Sequence, residues 1–267
     1  MAFGCWKIGL NIQDNGVYAV ALLPTRQGWQ ARGWWEFSDT PESTNASLWA
    51  VPERLIWLLK EWRRLLPRQH QLAVSFPALQ TVQRLVPQPG MQLNEPQREA
   101  YMAMNLAREL QLDAQSLRFD YRQLATESGG YAVTAIRQSM LQPVIDALHK
   151  LQLEPESIIP DACALQALLP SVNTCGYEAI VQQEANAWLW ASAQGWGAWS
   201  CGELTGRAEA SLALGLPEAR VAFIEPLSGK EECQYDPWQI IPRRQPPLPE
   251  NGGHYTVALA LAIGGLL

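Results

Sequence analysis

The chain has 267 residues, of which 48% are hydrophobic and 17% charged, so it can bury the core of one large domain or two modest ones and is excluded from the wholly disordered class. Its 20 Lys and Arg against 26 Asp and Glu leave a net charge of −6, which makes a phosphate backbone a poor partner and excludes direct nucleic-acid binding as the expected role. Cys5, Cys163, Cys175, Cys201 and Cys233 are scattered and form no Cys-x-x-Cys pair or His/Cys cluster, so they read as reduced thiols in a cytosolic protein, with no metal site expected.

In chain order, residues 1–10 embed Lys7 in a short apolar stretch and lack the parts of a signal peptide, so no export is expected. Residues 5–12, 17–23 and 30–37 read as three strands of a β-meander, the first two joined through Asp14-Asn15-Gly16, a strong hairpin signal. Residues 52–66 follow as an amphipathic helix with Leu55, Leu58, Leu59, Trp62, Leu65 and Leu66 at helical spacing and Pro67 ending the run. A buried strand over 71–76 comes next. Residues 79–86 alternate as a strand, Asn94-x-x-Gln97 opens a helix to about residue 110, and a strand follows over 117–124. The α/β alternation resumes with a strand over 131–136, a helix after Ser139-x-x-Gln142, a short strand over 157–159 and a helix over 161–169.

From residue 177 the pattern starts again, with strands over 177–183, 187–193 and 195–201, a helix over 207–214 and a strand over 220–224. Two meander-then-helix units predict a duplicated α/β fold with a cleft between its halves. Residues 226–254 hold six prolines and are expected to be extended or mobile, whereas 255–267 read as an apolar helix docked on a sheet. That last stretch is too short to span a bilayer, and the uncharged, Trp-rich residues 185–202 are interrupted by Asn186, Ser192, Gln194 and glycines, so no transmembrane segment is expected.

The first hairpin reads Gly9-Leu10-Asn11-Ile12-Gln13-Asp14-Asn15-Gly16-Val17-Tyr18. Further on come Ser75-Phe76-Pro77 before a strand, Phe119-Asp120-Tyr121, Val133-Thr134-Ala135-Ile136-Arg137, Leu153-Glu154-Pro155, Asp161-Ala162-Cys163-Ala164-Leu165 and a closing Val257-Ala258-Leu259-Ala260-Leu261-Ala262. In this order the segments resemble the PilM family of actin-like ATPase relatives, components of type IV pilus and competence machines, and within it the enterobacterial HofM type. The resemblance implies a duplicated actin-like, ribonuclease H-like α/β fold with an inserted small α+β subdomain and a shortened second half. The division expected is 1–76 with 128–170 for the first subdomain, 77–127 for the insert, and 171–267 for the second subdomain, including the Pro-rich 226–254.

A nucleotide site of that family needs a glycine turn for phosphate, a carboxylate on the first strand for hydrated Mg²⁺ and a second phosphate loop. Here Gln13 stands for the glycine, Asn11 replaces the carboxylate, and Asp14, beside Asn15, adds a negative charge where phosphate would lie. A like charge at 4 Å costs about 4 kcal/mol at an effective dielectric of 20. The family's second Asp-Ile-Gly falls on Gln182-Gln183-Glu184, and Tyr18 occupies a lysine position. Asp161 remains, and in the wider superfamily an aspartate near there faces the nucleotide; the plainer reading makes it a helix N-cap. These residues, Asn11, Gln13, Asp14, Asn15 and Asp161, form a degenerate nucleotide site. ATP and Mg²⁺ are disfavoured, and no catalysis is expected.

No Gly-x-Ser-x-Gly elbow or P-loop is present, and His70, His149 and His254 are far apart in sequence. Lys60, Arg63, Arg64 and Arg68 cluster late in the first helix, as a solvated face or a contact for anionic lipid. Trp34-Trp35 puts two rings on opposite faces of a strand, one of them turned outward or onto a second layer. The resemblance implies a non-catalytic cytoplasmic adaptor, peripheral at the inner membrane. It implies as partner a PilN-like bitopic protein whose N-terminal cytoplasmic peptide docks between the main and inserted subdomains. The alternatives are an active Mg-ATP-dependent ATPase or kinase of the same superfamily and a filament former.

Overall fold

The computed structural model describes residues 4–14, 16–38, 48–49, 51–124, 129–204, 206–224, 235–242 and 247–265. The chain divides into two units, Met1–Leu79 with Ala147–Leu267, and Gln80–Asp146. The larger unit opens with the expected meander, β1 (Trp6–Ile12), β2 (Gly16–Thr25) and β3 (Gly28–Ser38), followed by α1 (Pro52–Leu65) and β4 (His70–Phe76). β1 pairs antiparallel with β2 and parallel with β4. Trp34 meets Trp238 at 6.3 Å between ring centroids, while Trp35 meets Trp62 of α1 at 5.8 Å. The two rings of the Trp pair are thus half-buried against the molecule's own layers on the two faces of the sheet.

The smaller unit comprises β5 (Val82–Val86), α2 (Glu95–Leu110), β6 (Leu117–Gln123), β7 (Tyr131–Arg137) and the start of α3 (Gln138–Lys150). Asn94 and Gln97 make the predicted capping box at α2. β7 corrects the sequence reading: it does not resume the main sheet but lies between β5 and β6, antiparallel to both. The reason is its buried alternation, since Tyr131, Val133 and Ala135 pack with Met102 and Leu106 of α2. The unit therefore runs over 80–146 rather than 77–127. Ser139 does not cap α3, which already begins at Gln138.

Back in the larger unit, β8 (Ser157–Pro160) adds parallel to β4. The helix expected over 161–169 is segmented into α4 (Asp161–Ala164), a 3₁₀ turn Leu165–Leu168 and α5 (Leu169–Thr174), which takes Pro170 in its first turn. Then come β9 (Ala179–Gln183), β10 (Ala187–Ser192), β11 (Trp196–Ser200), α6 (Arg207–Leu214), β12 (Val221–Ile224) and α7 (Thr256–Gly264). The sheets are ordered β3-β2-β1-β4-β8 and β11-β10-β9-β12, and in each a three-strand meander is extended by a parallel strand beside its first member. That shared order is the duplication read from the sequence.

α7 is apolar on all sides because it is covered on all sides. Ala258, Leu259 and Ala262 pack with Val20, Leu22 and Ala31, while Val257, Ala260 and Leu261 pack with Ile180, Leu189 and Ala222. Gly9 of β1 permits this approach: a Cβ there would lie 1.9 Å from the Ala258 carbonyl oxygen. Within 226–254, residues 235–241 are packed, not extended. Pro237–Ile240 is a 3₁₀ turn whose Trp238 is buried and donates its indole N–H to the Gly252 carbonyl at 3.0 Å. Tyr235, Trp238 and Ile241 supply buried apolar area that outweighs the stiffness of the surrounding prolines.

Candidate functional site

The two meanders end their first strands in equivalent turns. Gln13 N–H donates to the Gly16 carbonyl at 2.9 Å, and Glu184 N–H donates to the Ala187 carbonyl at 2.8 Å. This equivalence sets Asn11 against Gln182 and Gln13 against Glu184, so the residues at the two would-be glycine positions are partners in the duplication. They are also partners in space: Gln13 Nε2 donates to Glu184 Oε1 at 3.0 Å. Asn11 Nδ2 donates to the same oxygen at 3.3 Å, and Asn186 Nδ2 donates to Asp14 Oδ2 at 2.8 Å. Three side-chain hydrogen bonds thus clasp one hairpin turn to the other.

Asn11 is 1% exposed, and its amide is used at both ends. Its Oδ1 accepts from Ser75 Oγ at 2.6 Å, and Ser75 Oγ in turn accepts from Ile12 N–H at 3.2 Å. An amide suits this position because it offers a donor to Glu184 and an acceptor to Ser75, whereas a carboxylate would face Glu184 with like charge. Trp49 closes the back of β1 by donating its indole N–H to the Ile12 carbonyl at 3.1 Å. Gln182 is buried and donates through Nε2 to the Gly253 carbonyl at 3.1 Å, tying β9 to the segment before α7. Tyr18, at the lysine position, stacks on His254 with centroids 5.4 Å apart, and burial raises its hydroxyl pKa to about 12.

Asp161 is 6% exposed and is the first residue of α4; Pro160 holds the N-cap position, so the expected cap is not made. Its Oδ1 instead accepts from Ala78 N–H at 2.9 Å and from its own neighbour Ala162 N–H at 2.6 Å, fastening the turn after β4 to the start of α4. Burial raises the Asp161 carboxyl to about 7 against these two hydrogen bonds. Glu184 is raised to about 8, first by burial and then by Asp161, with the Asn11 and Gln13 amides pulling the other way. The two carboxyls titrate as a pair, and near neutrality they hold protons that isolated carboxyls would have lost.

Asp14, Asp161 and Glu184 line one cavity of about 50 Å³ together with Ile12, Pro77 and Leu189, and no Lys or Arg is among its described lining residues. Ligand pockets for organic molecules are typically ~300–1,000 Å³. The space is on the scale of a water molecule or two. Among the described residues, no group of three or more His, Cys, Asp or Glu is placed to hold a metal ion. No described helix is long and apolar enough to cross a membrane.

Of the residues singled out from sequence, the structure brings Asn11, Gln13, Asp14 and Asp161 to this one place; Asn15 lies outside the described residues. The residue that joins the first two is Glu184, which in the family pattern stands only at a glycine position. The signal that reveals it is the duplication itself, which sets an amide and a carboxylate at equivalent hairpin positions.

No family model matches the chain. It is 33% identical over 264 residues to the DNA utilization protein HofM of Escherichia coli (strain K12), with 99% of each chain covered. Among solved structures it is similar to a PilM–PilN type IV pilus biogenesis complex, with a TM-score of 0.64 at 14% identity over 97% of this chain and 98% of that one. It is also similar to the cytoplasmic domain of EpsL, an inner membrane component of the type II secretion system of Vibrio cholerae, with a TM-score of 0.56 at 14% identity over 83% of each chain. The repeated sheet order and these likenesses make the fold actin-like. With that fold, and with a HofM relative matched along its whole length, the chain belongs to the PilM-like family in its HofM branch.

Proposed function

We propose that this protein is a nucleotide-independent adaptor of a type IV pilus-like assembly platform that serves DNA utilization, acting on the cytoplasmic face of the inner membrane. Its partner is a PilN-like bitopic membrane protein, bound through that protein's N-terminal cytoplasmic segment. The observation that carries the reading is the Gln13–Glu184 hydrogen bond: both would-be phosphate turns spend their key position on each other. Asn11, Asp14 and Asp161 support it, since they supply no metal-binding carboxylate on β1 and place acidic groups around the remaining space. The clasp joins the two meanders without a ligand, so the protein presents a ready-formed surface that does not depend on ATP. DNA itself falls to other components, in keeping with the net charge of −6.

The test is a titration of the full chain with the N-terminal cytoplasmic peptide of the PilN-like protein, followed by tryptophan emission and calorimetry, beside a thermal melt in millimolar Mg-ATP. Saturable peptide binding with an unchanged melt is expected. A nucleotide present at 100 times its Kd would stabilise the fold by about 2.7 kcal/mol, so an upward shift with Mg-ATP refutes nucleotide independence. Absence of saturable peptide binding refutes the adaptor role.

A further inference from the structure

α1 covers the outer face of the first sheet with Leu55, Leu59 and Trp62, and turns a different set of side chains away from it. Trp57 is 71% exposed and Leu65 64%, although both are large and apolar. Between and beyond them stand the exposed Lys60 and Arg64, with Arg68 just past the helix end. Arg63 Nε donates to the Gln152 carbonyl at 3.2 Å, which draws the exposed Lys150 at the end of α3 toward the same region. Glu53 and Glu61 are the acidic members of the face, and Arg64 is paired with Glu61 at 2.7 Å. Over residues 53–68 five cations stand against two carboxylates, in a chain that is acidic overall.

We propose that this outward face of α1 is a docking surface for an anionic lipid bilayer. Two features favour lipid over a protein partner. The two exposed apolar side chains are eight residues apart, about 12 Å along the helix, and are interleaved with cations. A protein hot spot gathers its apolar anchors into one patch ringed by polar groups, whereas an interfacial helix spaces a Trp and a Leu among basic residues that meet headgroups. An acidic protein is also repelled by an anionic membrane in every orientation except one that presents a local basic face, so the charge pattern selects this helix. The basic end of α1 precedes the first residues of β4, whereas the clasp lies at the last residues of β1 and the turn after it, so lipid contact leaves the clasp untouched.

The proposal goes beyond the adaptor reading and is tested without any peptide. The full chain is floated with vesicles of phosphatidylglycerol and phosphatidylethanolamine, or of phosphatidylcholine alone, at 50 and 500 mM salt. Binding is expected only to the anionic vesicles and only at low salt. Each surface cation contributes about fivefold to partitioning onto an anionic surface, so Lys60→Gln with Arg64→Gln lowers it about 25-fold. Trp57→Ala lowers it roughly tenfold. All three positions are exposed, and melts of the variants matching that of the parent establish that the fold is intact. No binding to anionic vesicles, or binding unchanged in the double variant, overturns the proposal; the former result would leave an acidic protein surface as the occupant.

Discussion

Asn11→Asp restores the first-strand carboxylate of the family and sets it against Glu184. The donor it removes lies 3.3 Å from Glu184 Oε1, so two ionised groups would repel by about 5 kcal/mol at an effective dielectric of 20. The fold avoids that repulsion by keeping one proton on the pair. Burial already raises Glu184 to about 8, so at pH 6 the variant holds this proton at little expense, and a protonated Glu184 can donate to the new carboxylate. Above pH 8 the parent's folded state releases the proton and the variant's retains it. The variant's deficit therefore grows by about 1.4 kcal/mol per pH unit, up to the limit set by the direct repulsion. Between pH 6 and pH 9.5 the added deficit is about 2 kcal/mol, or roughly 4–8 °C in Tm for a chain of this size. Thermal melts of parent, Asn11→Asp and Asn11→Ala across that range provide the assay, the alanine variant losing the same bonds without adding charge. A deficit that is constant with pH, or that tracks Asn11→Ala at every pH, would refute the clasp as the seat of the effect.

Glu184→Gln keeps the acceptor for Asn11 and Gln13 while removing the titration. Because the folded-state pKa is raised from 4.5 to about 8, the folded parent binds more protons than the unfolded chain in this window, and its stability falls as pH rises through it. The variant should match the parent near pH 5, exceed it by about 4 kcal/mol at pH 8.5 and show a flatter Tm profile; equal slopes would show that Glu184 does not titrate in this range. Gly9→Ala would bring a methyl into the Ala258 carbonyl, which is backbone and cannot rotate away, so a loss of about 3 kcal/mol is expected in denaturant melts. A loss below 0.5 kcal/mol would mean that α7 does not press on β1 as described.

Where local pattern decides local structure, the sequence was a sufficient guide. Alternation and turn chemistry marked β1, β2 and β3, and Asn94 with Gln97 marked the start of α2. Alternation does not say which sheet a strand joins, however, and β7 went to the smaller unit because its partners β5 and β6 flank it on both sides. Proline density pointed to an extended or mobile stretch around Trp238, whereas three large side chains spaced three residues apart gave that stretch a core to join. At the site, Asn11, Gln13, Asp14 and Asp161 were legible one at a time as departures from a family pattern. Their shared purpose was not, because it depends on Glu184, some 170 residues away in the chain and brought alongside only by the repeated turn geometry.

The helix that fills the middle of the larger unit is made after both of the sheets it joins. α7 packs on β1, β2 and β4, which are synthesised far earlier, and on the later sheet as well. Until it arrives, Val, Ile and Leu side chains on the inner surfaces of both sheets lack one of their main covers, a condition that invites association between nascent chains. Biogenesis of this protein therefore calls for shielding a half-built interior until α7 has been synthesised.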